Sequence, residues 1–207
     1  MKKYELLKDD TIEFLGKALF RIKALISFKD IRKGEIGGYV EAERNLSQSG
    51  NAWVSDDARV TGNARVSGNA WVSGNAWVTD NAWVSDDARV TDNAHVTGNA
   101  RVSGNAWVTD NAWVSDDARV TDNAHVTGNA RVTDNAWVET SNDYIVFKNN
   151  WSSFRWFTYT KSNKMWRAGC FYGTGQELVE KAYKDSDESG RKYELYVNLV
   201  KELYRDE

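Results

Sequence analysis

The chain has no proline, one cysteine, two histidines and two methionines in its 207 residues. A single cysteine, Cys170, excludes an intramolecular disulfide framework. No apolar run approaches the roughly 18 residues that a membrane-spanning helix needs, so no membrane role is expected. Neither sign of charge dominates. The net charge is −3 and the isoelectric point about 5.5, a balance that weighs against direct nucleic-acid binding or membrane attraction by bulk charge. Met1-Lys2-Lys3 leads into Tyr4-Glu5 and further charged residues rather than the apolar core of a secretion signal. The expectation is a soluble, cytoplasmic protein.

What the chain does have is repetition. Residues 49–138 are fifteen consecutive six-residue phrases with no insertion, from Ser49-Gly50-Asn51-Ala52-Trp53-Val54 to Thr133-Asp134-Asn135-Ala136-Trp137-Val138. Each reads Ser/Thr, Gly/Asp, Asn/Asp, Ala, then Trp/Arg/His, then Val. A unit this short cannot bury an apolar face alone and must stack on its neighbours. Ala and Val lie two positions apart, so in a short strand both point to one side and the large residue between them to the other. Gly or Asp followed by Asn or Asp supplies a corner, because these residue types tolerate unusual backbone angles.

The composition divides the chain into a capping region (1–48), the repeats (49–138) and a terminal α+β cap (139–207). In the first, Thr11–Leu15 and Leu19–Leu25 alternate around Gly16-Lys17 and predict a β-hairpin, while Gly34 and Gly37-Gly38 read as turns. In the last, residues 144–147, 154–159 and 165–171 read as three strands, the last placing Cys170 in a buried position. Thr174-Gly175-Gln176-Glu177 is a capping box that opens a helix to about Lys184. Helical spacing of Tyr193, Tyr196, Val197, Val200 and Leu203 predicts a second helix after Ser189-Gly190. This βββαα unit would cover the edge of the last coil.

The hexads, with Val54, Val60 and Val66 at the aliphatic place and Ala52, Ala58 and Ala64 two before it, resemble the transferase hexapeptide repeat. That resemblance implies a left-handed parallel β-helix of triangular section, three hexads to a coil. Fifteen hexads then make five coils, about 24 Å of rod at about 4.8 Å each. The flanks (Tyr4-Glu5-Leu6 through Leu25, Lys33-Gly34, Gly37 to Glu41, Asn45 to Gln48, and Gly169-Cys170-Phe171-Tyr172-Gly173) are similar to repeat proteins of phages and prophages.

Three hexads per coil sort the outward residues into three columns. One is Trp53, Trp71, Arg89, Trp107, His125; the second is Arg59, Trp77, His95, Trp113, Arg131; the third is Arg65, Trp83, Arg101, Arg119, Trp137. Trp and Arg are enriched in interface hot spots. The candidate binding set is therefore Trp53, Trp71, Trp77, Trp83, Arg89, Arg101, Trp107, Trp113, Arg119 and Trp137. The plain structural alternative is that the columns stiffen the rod.

Residues 73–102 are identical to residues 103–132. Thirty residues are five hexads, not a whole number of coils, so His95 and His125 fall on different columns. Catalysis needs groups placed to within about 0.5 Å, which a duplication out of phase does not preserve. No catalytic residue is assigned. The acyltransferases of the hexapeptide class use a histidine as general base, bind acetyl-CoA or acyl carrier protein between subunits, and commonly carry loops that this chain lacks. Eleven aspartates against six arginines in residues 49–138 raise calcium binding and nucleic-acid mimicry. Carboxylates at corners, however, usually bond neighbouring backbone N–H groups, so no metal or cofactor is assigned. Ice binding would need a flat threonine array, and Ser and Thr interchange here. The expectation is a non-enzymatic binding or scaffold protein of a mobile element. It would engage a host protein or ribonucleoprotein in the host cytoplasm and inhibit a defence system, and it could form a dimer or trimer. A hexapeptide-class acyltransferase and a structural phage component are the alternatives.

Overall fold

The computed structural model describes residues 2–205. Fifteen two-residue strands, β4 to β18, run from Trp53–Val54 to Trp137–Val138, one in each hexad. They pair in parallel with the strand three hexads on: Trp53 with Trp71, Arg59 with Trp77, Arg65 with Trp83, and so up the rod. The result is a three-sided β-solenoid whose sides are separate sheets. Every Val and Ala of the hexads faces the interior and is buried. Burying a Val side chain is worth about 1.5–3 kcal/mol, too little for one hexad but enough when repeated along a continuous core.

The corners are explained by backbone angle. The second residue of all fifteen hexads has positive φ, and eight of these are Asp and seven Gly. Glycine takes this conformation without strain, and Asp takes it more readily than branched or bulky residues. In every hexad after the first, a hydrogen bond from the Ala N–H to the first residue's carbonyl closes the turn, as in Ala58 to Ser55 at 3.2 Å. In seven hexads the Asn of the third position donates its side-chain amide to the residue one coil up. Asn63 to Asn81 and Asn81 to Asn99 are both 3.1 Å, and Asn99 to Asp117 is 3.0 Å.

Below the first hexad, the fold departs from the sequence reading. Strands β1 (Tyr4–Phe14) and β2 (Lys17–Ala24) form the expected hairpin, with Leu15 and Gly16 both at positive φ in its two-residue turn. It begins seven residues earlier than Thr11 because alternation is broken by a bulge between Leu7 and Thr11. Gly37 and Gly38 are not a turn. They lie in strand β3 (Ile36–Val40), which pairs with Arg59–Val60. A Cβ on Gly37 would lie 2.5 Å from the Val54 carbonyl and 2.7 Å from the Trp53 ring. These glycines allow close approach rather than chain reversal. Tyr39–Val40 and the bridge from Leu46 to Val66 add most of a sixth turn beneath the five coils of the hexads.

The lower end is closed by side-chain donors. Lys3 Nζ donates to the Ala52 carbonyl at 2.8 Å, Tyr4 OH to the Leu46 carbonyl at 2.7 Å, and the Asn45 amide to the Ala64 carbonyl at 2.9 Å. The upper end is closed by hydroxyls. Thr158 Oγ1 accepts the Arg131 N–H at 2.9 Å and Ser162 Oγ the Trp137 N–H at 2.7 Å. Tyr144 OH accepts from Thr127 N–H and donates to the His125 carbonyl. Each face of the last coil is thus stopped by one hydroxyl, which removes an open sheet edge.

The terminal cap is a four-stranded antiparallel sheet, β19 (Tyr144–Lys148), β20 (Trp156–Thr160), β21 (Met165–Ala168) and β22 (Phe171–Gly173), carrying helices α1 (Gly175–Asp185) and α2 (Asp187–Leu203). It has its own core of Phe157, Tyr159, Trp166, Leu178, Val197 and Val200. The Thr174 capping box is present as read. Three expectations fail. Residues 165–171, read as one strand of three, instead form β21 and the start of β22, so the sheet has four strands. Gly169 has positive φ and turns the chain between β21 and β22, which leaves Cys170 exposed rather than buried. Helix α2 is capped by Ser186 and starts before Ser189-Gly190, where Gly190 admits the Tyr183 ring against its backbone. No helix among the described residues is long and apolar enough to cross a membrane.

Candidate binding surface

The three columns stand as read from the sequence. Arg89 pairs with Trp71 and Trp107, His95 with Trp77 and Trp113, and Arg101 with Trp83 and Arg119, each in register. In the second column, the His95 ring lies 4.5 Å from Trp77 and 4.8 Å from Trp113, and the Arg131 guanidinium lies 5.6 Å from Trp113. In the first, Arg89 lies 4.9 Å over Trp107, and Trp107 stacks on His125 at 5.1 Å. In the third, Arg101 lies 5.8 Å from Trp83. Exposed contacts of this kind contribute on the order of 0.5–1 kcal/mol each, so the columns stiffen the rod in small increments.

The columns differ in what remains accessible. Trp83, Trp107, Trp113 and Trp137 are 37–47% exposed. Trp83 and Trp137 are oriented by indole N–H bonds to Ser67 Oγ at 3.2 Å and Thr121 Oγ1 at 3.1 Å. Trp71 and Trp77 are half-buried, and Phe14 from the hairpin packs on Trp77 at 4.6 Å. Trp53 corrects the outward reading. It is fully buried beneath the N-terminal region, against Tyr4 and Phe28, and offers no surface to a partner. Periodicity gives the direction of its side chain but not the long-range cover. Arg89, Arg101 and Arg119 are exposed, and Arg101 and Arg119 lie side by side on one face.

His95 and His125 lie on different sheets, as the duplication requires. Burial between two indoles pushes the His95 imidazole below its ordinary pKa. Neither imidazole has a hydrogen-bonded hydroxyl or carboxylate partner among the described residues, which is the arrangement that orients a general base or activates a nucleophile.

The corner aspartates hold the coils together. Asp56 accepts the Gly74 N–H at 3.0 Å, Asp80 the Gly98 N–H at 3.2 Å, and Asp110 the Gly128 N–H at 2.9 Å. Bonds from Thr109 Oγ1, at 2.6 Å, and from Thr91 hold the Asp92 carboxyl below the usual range. Among the described residues no group of three His, Cys, Asp or Glu side chains could hold a metal ion.

Sequence reasoning missed a set of residues where the cap meets the rod. Phe154 and Trp156 are 66% and 41% exposed, beside Arg155 and the top of the second column. Phe154 has a φ of 55°, unusual for a bulky residue. The segment reads as an ordinary strand start, and nothing in its composition signals the turn.

Residues 52–68, 58–74, 64–80 and 100–116 match the family model described as the YdcK β-solenoid repeat. The first three matches are offset from one another by six residues, the length of one hexad. No curated protein matches the chain.

Proposed function

We propose that this β-solenoid is a non-catalytic binding rod whose exposed tryptophans and arginines engage a host macromolecule, a protein or a ribonucleoprotein. The observation that carries the reading is the exposure of Trp83, Trp107, Trp113 and Trp137 on all three faces. Each lies in a column that continues from coil to coil at a fixed spacing. Large rigid aromatics beside guanidiniums are the residue types that dominate interface energetics. A regular array of them presents the same chemistry over many ångströms.

The likeness of both flanks to phage and prophage repeat proteins supports a mobile-element origin and, with it, a host target in the cytoplasm such as a defence component. The left-handed winding implied by the hexapeptide resemblance belongs to the same reading. So does self-association into a dimer or trimer through one column. Among the described residues both imidazoles are flanked by indoles and by no hydrogen-bonded hydroxyl or carboxylate, which favours binding over acyl transfer.

The test is column by column. Three variants each replace exposed Trp and Arg residues of one column by Ser: W107S with R89S, W113S with R131S, and W83S, R101S, R119S and W137S together. Each is compared with the parent for capture of macromolecules from host lysate, with circular dichroism as a control on folding. Loss of one captured species in one variant, with folding intact, supports the reading. Capture unchanged in all three contradicts it.

A further inference from the structure

The duplicated sequence provides an internal comparison at the junction of rod and cap. Asn81 donates to Asn99 at 3.1 Å. Their copies, Asn111 and Asn129, sit in identical hexads one duplication later, yet their side-chain amides form no hydrogen bond among the described residues. Asn93 and Asn111 are likewise unbonded, whereas the other Asn–Asn neighbours of the rod are joined, as Asn75 and Asn93 are at 3.3 Å. The hexad sequence does not break this ladder. What differs is the surroundings, since Asn111 and Asn129 line a cavity of about 440 Å³ against the cap loop.

The rest of the lining has one chemical character. Arg131, Phe154, Arg155 and Trp156 complete it, with Gly169 at its edge. It contains two guanidiniums and no carboxylate, in a chain of net charge −3. Neither arginine is in an ion pair among the described residues. Lys148 adds a third cation, 5.3 Å from the Trp156 ring. The corner carboxylate next to Asn111, that of Asp110, is engaged by the Gly128 N–H. In the adjoining cavity, which shares Arg155 and Trp156, Asp185 is accompanied by Lys181. Phe154 is held exposed at positive φ, where a plain turn would use Gly or Asn.

We propose that this cavity between the last two coils and the cap binds a purine nucleoside monophosphate. Unpaired guanidiniums suit a phosphate dianion. An exposed indole and phenyl ring provide faces on which a base stacks. Side-chain amides with both donor and acceptor free match the edge of a purine, as Asn does with adenine. The volume falls within the few hundred cubic ångströms usual for small-ligand sites. The site is independent of the column surface, apart from Arg131.

The test is calorimetric titration of the full chain with AMP, CMP, adenosine, inorganic phosphate and a single-stranded DNA dodecamer. AMP is expected to bind, with adenosine and phosphate each at least about tenfold weaker. R131Q with R155Q should lower AMP affinity at least about tenfold while leaving the circular dichroism spectrum unchanged. F154G, which suits the backbone angle and removes the ring, should weaken AMP severalfold in a fully folded protein. N111A with N129A should narrow the preference for AMP over CMP. No AMP binding at millimolar concentration overturns the proposal. So does an affinity that the arginine variants leave unchanged, adenosine binding as tightly as AMP, or dodecamer binding that AMP does not displace.

Discussion

The carboxylate of Asp86 accepts the backbone N–H of Gly104, 3.2 Å away and one coil higher. Gly104 in turn lies beneath Asp122, and a Cβ on it would fall 2.8 Å from the Asp122 nitrogen. Corner residues therefore act in vertical pairs, with a side chain below serving a bare backbone above. Asp116 beneath Asp134 shows the effect of a side chain on both, because that N–H to carboxylate bond lengthens to 3.5 Å.

Gly104→Ala and Gly128→Ala should separate these causes. Both place Ala at positive φ, at a cost of about 1 kcal/mol. At Gly128 the added methyl meets nothing within 4 Å, whereas at Gly104 it meets the backbone above. Urea unfolding should show a loss of about 1 kcal/mol for G128A and about 2 kcal/mol or more for G104A. Equal losses would mean that the vertical contact costs nothing.

The buried Lys3 predicts a pH dependence. Burial lowers its pKa from 10.5 to about 8. Between those values the unfolded chain holds the proton and the folded chain does not, so stability rises with pH across that window, by about 2 kcal/mol from pH 7.5 to 10. Below pH 8 both states are protonated and the contribution is flat. Tyr4 acts in the opposite sense. Burial, and then the charge of Glu43, raise its pKa, so above pH 10 the folded chain keeps a proton that the unfolded chain loses and stability falls. Denaturant titrations at pH 7.5, 9 and 10 should rise for the parent. Lys3→Met should show no rise, and at pH 10, where Lys3 of the folded parent is neutral, it should be the less stable of the two because the Ala52 carbonyl loses its donor.

The periodic part of this fold was legible because its rules are local. Val and Ala two apart set the inward face, and Gly/Asp-Asn/Asp set the corner. With three hexads to a coil, His95 had to stand between Trp77 and Trp113. The failures lie where distant segments meet. Gly37-Gly38 reads as a turn until the Trp53 ring and the Val54 carbonyl lie against it. Gly190 reads as a breaker until Tyr183 packs on it. Trp53 points outward like its column mates, but the N-terminal region covers it. Cys170 follows an apparent alternation that Gly169 interrupts by turning at positive φ. The cavity at Asn111 and Asn129 is invisible in the sequence, since the same hexads elsewhere form an unbroken ladder.

Deleting residues 103–132 should leave a folded protein. The segment is identical to residues 73–102, so the cap would dock on a last coil of unchanged sequence, with Thr158 accepting the Arg101 N–H in place of that of Arg131. The cap turns by two faces relative to the hairpin end, and the rod shortens by about 8 Å. Thermal unfolding should stay cooperative, with a midpoint within about 5 °C of the parent. Binding of AMP should persist, because Asn81, Asn99 and Arg101 replace Asn111, Asn129 and Arg131. An aggregated or non-cooperative product would mean that the coils are not interchangeable.

The central claim is that side chains 18 residues apart lie one above the other. Arg101 and Arg119 are exposed partners in register, whereas Arg101 and its duplicate Arg131 lie on different faces. In a Cys170→Ser background, R101C with R119C places two thiols on strands about 4.8 Å apart, within disulfide range, and R101C with R131C does not. Mild oxidation followed by mass spectrometry should find an intramolecular disulfide in the first variant alone. A disulfide in the second variant, or none in the first, would contradict the three-hexad coil.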